Sequence, residues 1–291
     1  MTTVTTHGQQ DDATTGAPSD QPRVAVLGTG VMGETVLTGV LAAGWDPQRV
    51  VATARRSERA AELREQHGVR TTDDNVAAAA EADVVVLGVK PKDIGALTEQ
   101  IAGALRPGTL VITVAVGLSC AFYEKRLPAG TPFVRVMPNT PSSIGSGVSA
   151  ISPGVAATEE HLALVETLLA STGLVIRVAE KDQDAVGALS GSGPAYVFYV
   201  LDALSEAGTL MGLPRATASR LATATVLGAA RLAEETGEHP AILREKVSSP
   251  GGTTIAALRE LDRGGVRAAF VDALTAAKAR STELSAQLEA E

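Results

Sequence analysis

Val24-Ala25-Val26-Leu27-Gly28-Thr29-Gly30-Val31-Met32-Gly33 is a short β-branched run that passes directly into a G-x-G-x-x-G. The glycine pattern alone is weak, because glycine-rich loops produce it by chance. Here a strand precedes it and an Ala- and Leu-rich helical stretch follows, which is the context a dinucleotide-binding turn requires. Its glycines let the backbone approach a pyrophosphate closely, and the helix N-terminus offers unpaired N–H groups to that anion. On this reading Leu27, Gly28, Thr29, Gly30, Val31 and Met32 line a cofactor. The competing reading is a tight strand-to-helix turn without a ligand.

Further along, β-branched runs at 50–52, 84–89, 110–116, 133–136, 148–151 and 174–177 are interleaved with helical stretches such as 33–43, 57–67 and 94–104. Alternating strands and helices, with apolar strands that do not alternate in polarity, predict a parallel sheet covered on both faces. The expected fold class is α/β, an N-terminal Rossmann-like doubly wound sheet. After about residue 180 the strand-like runs stop, and Ala, Leu, Glu and Arg recur at helical spacing. Pro214 and Pro240 each open a helical stretch, Gly264-Gly265 closes one, and a final helix is expected over 266–288. The predicted organisation is a polar, disordered tail over 1–21, a nucleotide-binding domain over 22–180 and an all-helical domain over 181–291.

The 291 residues carry 25 Lys and Arg against 33 Asp and Glu, a formal net charge of −8. An acidic protein lacks the positive field that nucleic acid or an anionic membrane requires. Aromatic residues make up 3%, too few to stack single-stranded bases. The tail has neither the basic start nor the apolar run of a secretory signal, and no apolar stretch of about 20 residues is free of charge and glycine. The single cysteine, Cys120, provides no internal disulfide framework and fits a reducing cytoplasm.

Cofactor choice rests on the end of the second strand. An NAD enzyme usually places Asp or Glu there, to accept from the ribose 2′-hydroxyl. This chain has Val50-Val51-Ala52-Thr53-Ala54-Arg55-Arg56-Ser57 instead. Two guanidinium forks and a hydroxyl suit a 2′-phosphate, so NADP(H) is preferred, with NAD(H) the alternative. A solvated basic helix start would look the same. Gly88-Val89-Lys90-Pro91 and Val114-Ala115-Val116-Gly117 end two further strands, and ligands of open α/β sheets lie outside such ends. Lys90 reads equally as a surface charge.

In the helical region, Ser249-Pro250-Gly251-Gly252-Thr253-Thr254 separates two helical stretches. Gly251 and Gly252 leave backbone N–H groups uncovered in front of a helix N-terminus, which makes a carboxylate site that needs no arginine. Ser249 and Thr254 add hydroxyls. A helix start capped by Ser or Thr is the plainer reading. His7, His67, His161 and His239 show no metal-ligand spacing and no nucleophilic triad is suggested, so no metal is expected.

With these segments together the chain resembles the pyrroline-5-carboxylate reductases over about residues 22–288. The resemblance is carried, in order, by Gly28-Thr29-Gly30-Val31-Met32-Gly33, Val89-Lys90-Pro91, Arg135-Val136-Met137-Pro138-Asn139-Thr140-Pro141, Ser190-Gly191-Ser192-Gly193-Pro194-Ala195-Tyr196 and Ser248-Ser249-Pro250-Gly251-Gly252-Thr253-Thr254. Only the first motif is generic. The resemblance implies reduction of 1-pyrroline-5-carboxylate to L-proline by hydride from NADPH or NADH. It further implies that Thr254 hydrogen-bonds the substrate ring nitrogen, and that Ser249, Gly252 and Thr253 hold the carboxylate. Met137, Pro138 and Asn139 would lie near the nicotinamide, and Asn75 near a ribose. The family forms interlocked homodimers and rings of dimers, usually decamers. Lys246 stands where some members have asparagine. A β-hydroxyacid dehydrogenase would share the architecture but needs a catalytic lysine, and neither Lys181, Lys246 nor Lys278 has the context. A non-catalytic NADP(H) sensor would have no use for Ser249–Thr254.

Overall fold

The computed structural model of the chain describes residues 21–290; the polar tail expected over 1–21 lies outside these apart from Gln21, whose side-chain oxygen accepts from the Asp46 N–H at 3.0 Å. Eight strands form one sheet: β1 (Val24–Leu27), β2 (Val50–Thr53), β3 (Arg70–Thr72), β4 (Val84–Leu87), β5 (Leu110–Thr113), β6 (Phe133–Met137), β7 (Gly147–Pro153) and β8 (Gly173–Arg177), in the order β3-β2-β1-β4-β5-β6-β7-β8. Around and between them run α1 (Val31–Ala42), α2 (Ser57–His67), α3 (Asn75–Glu81), α4 (Pro91–Ala102), α5 (Cys120–Glu124) and α6 (Glu159–Leu169).

The pleat of β1 explains why it reads as one apolar run. Val24 and Val26 pack on one face with Val36, Leu37 and Val40 of α1, while Ala25 and Leu27 pack on the other with Ile94, Leu97 and Ile101 of α4. All four are fully buried. Each buried Val or Leu of this kind contributes roughly 1.5–3 kcal/mol. On the α4 face Tyr123 stacks on Phe133 at 4.5 Å between ring centroids, and its hydroxyl meets the Thr113 Oγ1 at 2.9 Å.

The expected parallel sheet is found over β1 to β6, and one pairing beyond it departs from that pattern. Strands β1 to β6 are parallel, but β7 is antiparallel to β6, and β8 runs parallel to β7. Residues 138–146 between β6 and β7 hold only a 3₁₀ turn at Thr140–Ile144. That is too short for a parallel crossover, which takes about a dozen residues or more. From β7 to β8 the chain has α6 to cross with, and the pair is parallel. Covering is also incomplete there, since Leu174 and Ile176 of β8 are exposed. The edge strand β3, Arg70-Thr71-Thr72, has no apolar run and so leaves no trace in the hydropathy pattern.

Beyond β8 the chain is helical: α7 (Gln183–Val186), α8 (Gly193–Leu210), α9 (Arg215–Thr236), α10 (Pro240–Lys246), α11 (Thr253–Arg263) and α12 (Val266–Ala290). Just before α8, at the Ser190–Pro194 segment, the helical path passes through a π-helical turn over Gly187–Gly191. A Cβ at Gly191 would lie 2.6 Å from the Met137 Cε, so the small residue admits the end of β6. Helices α10 and α11 bury no residue fully. Phe198, Tyr199, Leu210, Met211 and Val271 are exposed apolar side chains on α8 and α12 or the turn after α8. Large apolar side chains exposed together on a few helices are a feature of binding surfaces. Among the described residues no helix is long and apolar enough to cross a membrane.

Candidate active site

The carboxyl ends of β1 and β4 meet at the point where strand order reverses, which is where open α/β sheets bind ligands. Gly28, at φ +86°, turns the chain out of β1, and a Cβ on it would lie 2.3 Å from the Val89 Cγ1. A Cβ at Gly33 would lie 2.2 Å from the Gly28 carbonyl oxygen, and one at Gly88 would lie 2.6 Å from the same atom. These three glycines are needed by the protein itself. Gly30 is different: a Cβ there would meet no protein atom within 4 Å. It is the N-cap of α1, and no side chain caps that helix. Open space above uncapped first-turn N–H groups fits a pyrophosphate.

Thr53 holds this loop, a role that the sequence reading missed. Its Oγ1 accepts from the Gly28 N–H at 2.9 Å, and its carbonyl accepts from the Thr29 N–H at 3.2 Å and from the Thr29 hydroxyl at 2.9 Å. The hydroxyl and N–H of Thr29 are therefore engaged within the chain. A threonine ending the run Val50-Val51-Ala52 was the available signal. A second missed group is Glu34 in α1, which pairs with Arg59 of α2 and, at 3.2 Å, with the His67 Nε2. Burial works to raise the Glu34 carboxyl, but hydrogen bonds from His67 and Arg59 and the charge of both hold it below the usual carboxylate range.

Arg55, Arg56 and Ser57 are exposed at the end of β2 and the start of α2, and neither arginine has an acidic partner among the described residues. Lys90, at the N-cap of α4, is exposed and equally without one; Pro91 is the first residue of that helix. Of Val114, Ala115 and Val116 only Val116 presents its side chain, 44% exposed, while the other two are core. Asn139 is buried, its Nδ2 donating to the Ser190 carbonyl at 3.0 Å and its Oδ1 accepting from the Val148 N–H at 2.9 Å. Met137 and Pro138 are likewise buried, so this segment joins β6 to the helical region. Asn75 opens α3 and donates to the Gln100 Oε1 at 3.3 Å.

The loop over 249–254 is built separately, between α10 and α11. Gly251, at φ +69°, makes the turn, and the Gly252 N–H donates to the Ser249 carbonyl at 2.9 Å. A Cβ at Gly252 would lie 2.4 Å from the Ser249 Oγ. Gly252 is the N-cap of α11, again without a side-chain cap. The hydroxyls of Ser249, Thr253 and Thr254 bond to nothing within the described chain, in contrast to the Ser248 Oγ, which donates to the Arg244 carbonyl at 2.6 Å. Free hydroxyls around an uncapped helix start fit a small carboxylate.

Acid–base and nucleophilic groups are placed elsewhere. Burial, followed by the charge of Glu180 beside it, pushes the Cys120 thiol far above its ordinary range, so it carries no thiolate. His161 closes a capping box with Thr158, and the His239 Nδ1 accepts from the Ala241 N–H. Lys246 pairs with Glu238 at 2.6 Å. No group of three His, Cys, Asp or Glu among the described residues could hold a metal ion.

Two family profiles match the chain. Residues 180–284 match one described as pyrroline-5-carboxylate reductase dimerisation, and residues 23–117 match one described as NADP oxidoreductase coenzyme F420-dependent. The pyrroline-5-carboxylate reductase of Corynebacterium melassecola is 48% identical over 264 residues, covering 90% of this chain and 98% of that protein. A solved pyrroline-5-carboxylate reductase from Coxiella burnetii superposes with a TM-score of 0.87 at 42% identity, covering 90% of this chain and 98% of its own. The Plasmodium falciparum pyrroline carboxylate reductase, solved with NADP bound, gives a TM-score of 0.81 at 25% identity, covering 91% and 98%.

Proposed function

Because the chain belongs to the pyrroline-5-carboxylate reductase family, we propose that the glycine loop after β1 and the loop over 249–254 serve one reaction, in which NADPH is the preferred cofactor. The chain is an NAD(P)H-dependent oxidoreductase that reduces 1-pyrroline-5-carboxylate to L-proline, the final step of proline biosynthesis. It binds a nicotinamide cofactor and a small-molecule substrate, and it oligomerises through the region matching the dimerisation profile.

The observation that carries the proposal is the pair of uncapped helix starts, Gly30 at α1 and Gly252 at α11, each bordered by glycine. When bound, the reduced nicotinamide supplies the hydride. The first turn of α1 takes the pyrophosphate, and Arg55, Arg56 and Ser57 take the 2′-phosphate, the two arginines having no acidic partner among the described residues. Lys90, Val116 and Asn75 border the same cofactor, and Met137-Pro138-Asn139 sets its nicotinamide end against the helical region. At the other helix start the Thr253 N–H, next to Gly252 whose own N–H is held by the Ser249 carbonyl, and the Ser249 hydroxyl hold the substrate carboxylate. The Thr254 hydroxyl hydrogen-bonds the ring nitrogen, where a proton must arrive as hydride reaches the adjoining carbon. Proximity and one proton donor suffice for such a step, and no covalent intermediate is required.

In this proposal residues 22–180 are the nucleotide-binding domain and residues 181–291 the dimerisation and substrate domain. The exposed apolar side chains of α8 and α12 support a homodimer as the working unit, assembled into a ring of dimers such as a decamer. A cytoplasmic location belongs to the same proposal, supported by the free thiol of Cys120. Steady-state rates with NADPH and NADH side by side test the cofactor assignment: a lower KM for NADPH is expected, and equal values would remove it.

A further inference from the structure

The loop between β5 and α5 is held from outside by a segment more than a hundred residues away. Helix α12 runs back past α7, where Ser281 and Thr282 donate to the two carboxylate oxygens of Asp184, each at 2.8 Å. Nearly two turns further on, Leu288 is half-buried against the cluster containing Ala115, Leu118 and Cys120. A Cβ at Gly117 would lie 3.2 Å from the Leu288 Cδ1. The next residue, Glu289, takes the Ser119 N–H at 3.0 Å and the Ser119 hydroxyl at 2.5 Å on one carboxylate oxygen. From inside, the Thr113 Oγ1 accepts from the Ala115 N–H at 3.2 Å. The segment 114–119 is thus pinned at three points, while the Val116 side chain is left exposed. Leu288 and Glu289 lie beyond residues 180–284, which match the dimerisation profile.

We infer that the final turn of α12 is a clamp on the cofactor loop: Leu288 and Glu289 are positioning residues that fix Val114–Val116 and thereby set cofactor affinity. The inference rests on the reading that this loop borders the nicotinamide cofactor. A carboxylate accepting two hydrogen bonds from one half-buried loop residue has no catalytic group to serve there. It replaces the ordering that the loop would otherwise have to supply when the cofactor binds. The helical region, where substrate and partner subunit are held, would in this way act directly on the nucleotide site.

The test compares Glu289→Ala, Glu289→Gln and Val116→Asp in the full dimeric protein, measuring steady-state kinetics and amide hydrogen exchange over 114–119. Glu289→Ala should speed exchange of the Ser119 amide and raise the KM for NADPH roughly three- to tenfold, the range of one ordinary hydrogen bond, because the clamp reaches the cofactor only through the loop. The kcat and the KM for 1-pyrroline-5-carboxylate should stay within about twofold, because neither reacting group is touched. Glu289→Gln, which keeps an acceptor oxygen in reach, should recover most of the loss. Unchanged exchange at Ser119 would overturn the clamp. Faster exchange with an unchanged KM for NADPH would overturn its effect on the cofactor. Val116→Asp separates the two failures: if it too leaves the KM for NADPH unchanged, the loop does not border the cofactor at all.

Discussion

The Gly33 Cα stands so close to Gly28 that a Cβ built on it would be 2.2 Å from the Gly28 carbonyl oxygen, whereas a Cβ on Gly30 would touch no protein atom within 4 Å. The same motif therefore contains a glycine that the fold requires and a glycine that only a ligand requires. Gly33→Ala should destabilise the protein by about 1–3 kcal/mol, the usual cost of forcing atoms into a packed site. Gly30→Ala should leave the urea midpoint nearly unchanged and weaken NADPH binding. Denaturation and calorimetric titration of both variants check this. Equal effects on binding and stability at the two positions would contradict it.

Arg55 and Arg56 are exposed and lack acidic partners among the described residues, so removing them costs little folding energy. The double variant Arg55→Ala with Arg56→Ala should raise the KM for NADPH roughly tenfold, about the value of one charge-assisted hydrogen bond, and that for NADH much less. Equal increases for both cofactors would show that the pair does not read the 2′-phosphate.

At the other helix start the Thr254 hydroxyl has no partner among the described residues. Thr254→Ala should lower kcat by roughly tenfold to a hundredfold, at or below the usual range for a positioned proton donor. The KM for NADPH should be kept, and Thr254→Ser should restore much of the rate. Unchanged turnover in the alanine variant would remove Thr254 from the mechanism.

Acid sensitivity should trace in part to Glu34. Its carboxyl is held below the usual range in the folded chain, so it contributes stability above the ordinary carboxylate value of 4.5. That contribution is lost as the pH falls from there through the depressed folded value, where Glu34 must be protonated. Urea midpoints measured from neutral pH downward should fall less steeply in Glu34→Gln than in the parent. Parallel curves would contradict the assignment.

Much of this was legible in the residues themselves, for identifiable reasons. Val24–Leu27 and Val84–Leu87 are buried on both faces, so their burial is written as unbroken apolar runs. Ser57–His67 matches its expected bounds because Gly68 stops it in a left-handed C-cap. What stayed hidden depends on neighbours distant in the chain. Arg70-Thr71-Thr72 is a strand only because β2 offers it a ladder. The direction of β7 is set by connection length rather than composition. In the candidate site, the glycine loops and the Arg55-Arg56 pair could be found from local pattern. The bonds of Thr53 to Gly28 and Thr29, and of Glu289 to Ser119, could not, because no spacing in the chain marks them.

Following NADPH absorbance with purified protein and 1-pyrroline-5-carboxylate is the most direct test of the assigned activity. The prediction is that NADPH is consumed only when the imine is present, that L-proline appears in equal amount, and that NADH supports the reaction less well. NADPH that binds but is not consumed in the presence of the imine would contradict it.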